Sequence, residues 1–143
     1  MTCQLPAGVL ERRLRAAAVA HNRPFSAILE LTRRCGFRCL HCYAGPAPDH
    51  RGELPTDVWL RILDACAAAG VLRLAFTGGE PLIREDFPTL YRHARCAGMT
   101  VTLFSNGVFC NNPEIMRCLK KYPPSAVEVT VYGASPATAA GVT

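Results

Sequence analysis

The chain has 143 residues, half of them hydrophobic, and a net charge of +5 carried almost wholly by arginine. That is enough length and apolar content for one folded domain, and it argues against disorder. No run approaches the ~20 apolar residues of a membrane span, the N-terminus lacks the apolar core of a signal peptide, and the arginines are scattered without interleaved aromatics, so the sequence points to a cytoplasmic protein with no membrane and no nucleic-acid partner.

From about Val9 to Ala20 an Ala-rich segment carries Leu10, Leu14, Ala17 and Ala18 on one face and is expected to form a short covering helix. Residues 1–24 form this helical lead-in, and residues 25–143 the core domain. Phe25 to Thr32 follows as a strand, with Leu29 and Leu31 on one side and Ile28, Glu30 and Thr32 on the other. Directly after it come Cys35, Cys39 and Cys42, three thiols within one short loop. Three soft ligands at this spacing can converge on one inorganic centre. A closed structural zinc site wants four ligands, whereas an iron–sulfur cubane on three cysteines keeps one iron free. His41 as a fourth ligand in a Cys3His zinc site is the alternative, although its adjacency to Cys42 makes joint ligation awkward. With eight cysteines and no export signal, metal binding in a reducing compartment fits better than disulfides. Cys66 and Cys118 fall on apolar helix faces, where a thiol serves as a small hydrophobe.

Gly45 to Gly52, with Pro46 and Pro48, is an irregular connection. Pro55 opens a helix whose positions Val58, Trp59, Ile62, Leu63, Cys66 and Ala69 keep helical spacing, and Gly70 ends it. Val71 to Thr77 is a strand, followed by the loop Gly78-Gly79-Glu80-Pro81. A helix over about Asp86 to Ala97 turns Phe87, Leu90, Tyr91 and Ala94 inward; Met99 to Ser105 is the third strand, ending in Asn106-Gly107. Asn112-Pro113-Glu114 is helix-start chemistry, with Ile115, Met116 and Leu119 as the buried stripe. Ala126 to Tyr132 is the fourth strand, and Gly133 to Pro136 the loop beyond it.

Strands alternating with helices of about 10–15 residues give an α/β fold with parallel strands. Pattern alone leaves open a doubly wound sheet or part of a barrel. Glu30 and Thr32, with Glu128, Thr130 and Tyr132, place polar groups on one face of the outer strands, which suits a ligand-holding lumen or simply an edge. The four loops after strands all fall at the carboxyl end of the sheet, where such folds assemble their sites.

The cysteine triplet, together with Thr77-Gly78-Gly79-Glu80-Pro81 after the second strand, resembles the radical S-adenosylmethionine (radical SAM) superfamily. In particular it resembles members that modify peptides or mature cofactors and carry a C-terminal auxiliary-cluster extension. The resemblance implies a partial (β/α)6 TIM-like barrel of which this chain holds the first four strand–helix units, as the N-terminal part of a longer protein. It implies a [4Fe-4S] cluster on Cys35, Cys39 and Cys42, with S-adenosylmethionine on the free iron. Reductive cleavage of that cofactor would yield a deoxyadenosyl radical that abstracts hydrogen from a peptide or small-molecule substrate, the electron coming from a reduced flavodoxin or ferredoxin-like donor. Cofactor contacts are implied for His41 and Tyr43 beside the adenine, for Gly78 and Gly79 through close backbone approach, and for Glu80 at the methionine amino group. Ser105 and Asn106 match the end of the third strand, and Thr130 a hydroxyl residue of the fourth; each is equally at home as an ordinary turn or strand residue. Gly36, Ser105 and Tyr132 depart from the usual Asn, Thr and Asp. Arg33, Arg34 and Arg38 surround the thiols, as solvated charge or as a docking face for an acidic donor.

Overall fold

The computed structural model describes residues 7–43, 52–133 and 135–142. Cys3 and the connection through Pro46 and Pro48 lie outside the described residues. Four parallel strands, β1 (Ser26–Thr32), β2 (Arg73–Gly78), β3 (Thr100–Ser105) and β4 (Ala126–Val129), lie side by side in sequence order. A doubly wound sheet reverses its strand order at a switch point; this one does not, so every crossover falls on one face, as in a barrel wall left open.

The crossovers are α2 (Thr56–Ala69), α3 (Phe87–Cys96) and α4 (Pro113–Lys121); α1 (Ala7–Ala20) precedes β1, and α5 (Pro136–Ala140) follows β4. Period-2 side chains of the strands meet the helical stripes in one core: Leu31, Leu74, Phe76, Val101 and Leu103 against Trp59, Leu63, Phe87, Leu90, Tyr91 and Ala94, with Ile115 from α4. Phe76, Phe87 and Tyr91 form a ring cluster with centroid separations of 5.6 to 6.4 Å. The opposite face carries Ile28, Ala75, Thr102, Phe104 and Glu128 along an open hollow.

Helix ends follow the sequence chemistry. Gly70 caps α2 in the left-handed region at φ 95°. Asn112 Oδ1 accepts the Glu114 and Ile115 amides at 2.9 and 3.3 Å at the start of α4. Cys66 and Cys118 pack at the edge of the core as expected.

Five expectations are corrected. Thr32 is buried rather than on the open face with Glu30, because the register with β2 shifts between these two residues. The α1 stripe is not covered: Leu10 is 49% and Leu14 42% exposed, and α1 is instead tied to β2 by an Arg73–Glu11 ion pair of 2.5 Å. Ala69 is exposed in the last turn of α2. The fourth strand ends at Val129, after which the Thr130 amide still bonds the Ser105 carbonyl at 3.2 Å. Beyond it lies a short helix, α5, where only a loop is expected; Ser135 and Thr138 close it with a reciprocal capping box.

Candidate active site

At the carboxyl end of the sheet a cavity of about 270 Å³ is walled by Cys35, Cys39 and Cys42, by Thr77, Gly78 and Gly79, by Phe104, Ser105 and Asn106, and by Thr130 and Tyr132. Phe37, His41 and Tyr43 complete it. The structure thus gathers every site residue expected from the sequence except Glu80 around one space. The thiols are free. Among the described residues no three Cys, His, Asp or Glu side chains are drawn into an ion-sized cage.

Cys35 is held from two sides: its Sγ accepts the Phe37 amide at 3.4 Å and Asn106 Nδ2 at 3.6 Å. The second bond joins the cysteine loop to the end of β3 and gives Asn106 a task beyond its turn. Cys42 bonds back to the Cys39 carbonyl through its amide at 3.1 Å, and the Leu40 amide reaches the Val142 carbonyl at 2.9 Å, so the turn after α5 leans on the thiol loop. His41 stands edge-on to Tyr132 at 4.8 Å. The Tyr132 hydroxyl bonds to Cys39, and that bond, with burial, raises its pKa. The Tyr43 side chain is exposed; desolvation and the nearby Glu30 carboxylate raise its pKa, against the lowering effect of Thr77.

The two glycines answer a constraint of their own. A Cβ on Gly78 would stand 2.2 Å from the Thr32 carbonyl oxygen, and one on Gly79 would stand 2.4 Å from that of Arg34. Gly78 also takes φ 136°, which side-chain-bearing residues avoid. The close backbone approach seen here is to the last residues of β1 and the entry of the cysteine loop, sealed by Gly79 N–H to Thr32 O and Glu80 N–H to Arg34 O, both 2.8 Å.

Glu80 does not line the cavity and is fully buried. Its Oε1 accepts the Leu82 amide at 3.0 Å and its Oε2 the Asn106 amide at 2.7 Å, while the Ser105 hydroxyl lies 3.1 Å from both. Burial raises its pKa, and the hydrogen bonds from Asn106, Leu82 and Ser105 offset part of that rise. In this arrangement the carboxylate caps the turn Pro81–Ile83 and binds the ends of β2 and β3 together.

The sequence pattern puts Tyr132 on the polar face of the fourth strand and marks it as a departure from the usual Asp, brings in Thr77 only as the first residue of the Gly-Gly-Glu-Pro motif, and gives Phe37 and Phe104 no place in a site. Tyr132 sits beyond the end of β4, where strand periodicity no longer indicates direction. Thr77 and Phe104 were readable as open-face positions by alternation with Ala75 and Thr102.

The profile of the Radical SAM superfamily matches residues 29–140. The PqqA peptide cyclase of Granulibacter bethesdensis is 37% identical over 98 residues, which are 68% of this chain and 26% of that protein. Among solved structures, Streptococcus suis SuiB bound to S-adenosylmethionine superposes with a TM-score of 0.74 at 21% identity, covering 92% of this chain and 31% of SuiB. SuiB bound to its precursor peptide SuiA gives 0.73 at 20% identity, over 99% of this chain and 33% of SuiB. The chain therefore spans between a quarter and a third of the length of these relatives.

Proposed function

The chain belongs to the Radical SAM superfamily, and on that premise we propose that Cys35, Cys39 and Cys42 hold a [4Fe-4S] cluster beside a site for S-adenosylmethionine. The observation that carries the reading is the cavity itself: three free thiols face the Thr77–Gly79 and Phe104–Asn106 edges across one space. Thiolates suit iron–sulfur clusters, and ligands around a cubane stand further apart than those around a single ion. The donor set therefore fits. Bound together, cluster and cofactor supply one-electron cleavage of the sulfonium and abstraction of a substrate hydrogen atom.

The chain's own residues orient and shield that chemistry. Asn106 and the Phe37 amide hydrogen-bond one ligand sulfur, a contact that tunes cluster potential. His41, Tyr43 and Tyr132 offer ring faces and edges for an adenine, and Thr130 and Ser105 offer hydroxyls at the strand ends. Glu80, already holding three donors, acts first on the shape of the Gly78–Pro81 loop and keeps little accepting capacity for a methionine amino group.

A peptide is the favoured substrate class, because both PqqA peptide cyclase and SuiB are named for or captured with peptide substrates. A flavodoxin- or ferredoxin-like donor would supply the electron, and a cytoplasmic, reducing setting suits the free thiols. No helix among the described residues is long and apolar enough to cross a membrane.

Anaerobic reconstitution with iron and sulfide tests the reading. A cubane absorption band is expected, with a spin-resonance spectrum of the reduced form that changes when S-adenosylmethionine is added. Failure to form a cubane, or a spectrum indifferent to the cofactor, overturns it.

A further inference from the structure

Beside the thiol cavity, the entry and exit of the cysteine loop meet in a knot of charges. Arg84, 6% exposed, follows the turn after Glu80. Its Nη1 donates to the Leu31 carbonyl at 3.0 Å and stands 3.6 Å from Glu53 Oε2. Its Nε and Nη2 hold Asp86 in a fork at 2.8 and 2.7 Å, and Nη2 also reaches the Leu54 carbonyl at 3.3 Å. The other Glu53 oxygen accepts from the Thr32 hydroxyl and from Arg34 Nε at 3.1 Å. Asp86 Oδ2 is further bonded by Thr56 Oγ1 at 2.6 Å.

Residues 31–34 lead into the cysteine loop and residues 53–56 lead out of it. The Arg34–Glu53 pair therefore closes the loop at its base, and Arg84 fastens both ends to the chain that continues from Gly78 and Gly79. Charges taken out of water return little net stability compared with apolar side chains of the same volume. What a bidentate, multiply bonded guanidinium supplies is fixed geometry.

We propose that Glu53 and Arg84 are positioning residues: they clamp the base of the cysteine loop and set where Cys35, Cys39 and Cys42 stand relative to Gly78 and Gly79. The proposal rests on reading that loop as the cluster site, and its test separates the two. Hydrogen exchange by mass spectrometry on the iron-free chain compares wild type with Arg84→Lys and with Glu53→Gln, the latter keeping the side-chain shape. Amides of residues 35–43 are expected to exchange at least about tenfold faster in each variant, while those of α2, α3 and β3 keep wild-type rates. Loop exchange at the wild-type rate overturns the clamp, as does an acceleration shared by the core, which marks ordinary destabilisation.

The second arm loads the same proteins anaerobically with iron and sulfide. The reduced-cluster spin-resonance line is expected to broaden in both variants and to respond less to S-adenosylmethionine. If both variants reproduce the wild-type signal, the clamp is overturned and the cluster reading stands. If wild type takes up no cluster, the cluster reading falls and the exchange experiment alone decides the clamp.

Discussion

Tyr43, on the loop after β1, is 72% exposed, and Cys42 beside it is exposed too; Glu80, on the loop after β2, is fully buried. The first loop presents thiols and rings to a cavity, with few of their own bonding capacities used. The second presents backbone, and its one carboxylate spends itself on three donors inside the protein. They touch where Thr32 and Arg34 carbonyls meet the Gly79 and Glu80 amides. The difference teaches a division of labour: one loop carries the thiols, the other is the frame that holds them at a distance fixed by main-chain contact.

The sharpest way to break that comparison is to remove a thiol and a frame residue in turn. Cys39→Ala is expected to abolish cluster uptake while leaving the fold intact; Cys66→Ala, a partly buried thiol beside the core, should keep the cluster. Iron and sulfide counts after anaerobic reconstitution decide it, and equal loss in both variants would defeat the assignment. Gly78→Ala should do the reverse and damage the fold before the chemistry. Its new Cβ would lie 2.2 Å from a backbone oxygen, at a φ of 136°. A loss of more than about 4 kcal/mol in urea unfolding, or failure to fold, is expected. A stable Gly78→Ala protein would mean that the glycine serves only an incoming ligand.

The sequence already contained the alternation of strands and helices, the Gly70 and Asn112 caps and the inward faces of α3, since each is written in local periodicity or cap chemistry. It contained the thiol loop and its three neighbouring loops for the same reason: parallel strands place their following loops at one end. The Glu53–Arg34–Arg84 knot was invisible, because its members come together from positions 19 and 31 apart only when two parallel strands align. Glu80 was legible as a motif residue but not as a buried one. Nothing in Gly-Gly-Glu-Pro tells which way a carboxylate turns; Ser105 and the Asn106 amide, at the end of another strand, settle that.

Glu80 gives the next largest effect. Glu80→Ala strands the Leu82 and Asn106 amides and the Ser105 hydroxyl, and should cost about 3 kcal/mol, since each unsatisfied buried group costs ~1–3 kcal/mol when water only partly replaces its partner. Glu80→Gln keeps the shape but turns an NH2 toward donors, and should cost about half as much. Urea unfolding of the iron-free chain measures both. If Glu80→Ala unfolds like wild type and impairs only cofactor binding, the carboxylate belongs to the ligand-bearing side of the comparison after all.

The smallest effect, and the one that tests both loops in a single titration, is the opposite sign of their response to pH. Burial raises the Glu80 pKa, with hydrogen bonds from Asn106, Leu82 and Ser105 only partly opposing it. Its protonated form is thus the better tolerated, so this stabilising contribution is full below the ordinary Glu value and lost as pH rises through the raised one. At Glu53 burial also pushes upward, but hydrogen bonds from Thr32 and Arg34 and the charges of Arg34 and Arg84 outweigh it. Asp86 is lowered in the same way by Arg84 and Thr56 against its own burial. Their contribution is full above the ordinary carboxylate values and lost as pH falls through the lowered ones. Urea midpoints measured from about pH 7 to pH 3 should therefore fall less steeply toward acid in Glu53→Gln than in wild type, and more steeply in Glu80→Gln. Parallel curves for the two variants would show that neither burial at Glu80 nor the hydrogen bonds and charges at Glu53 act on these carboxylates as described.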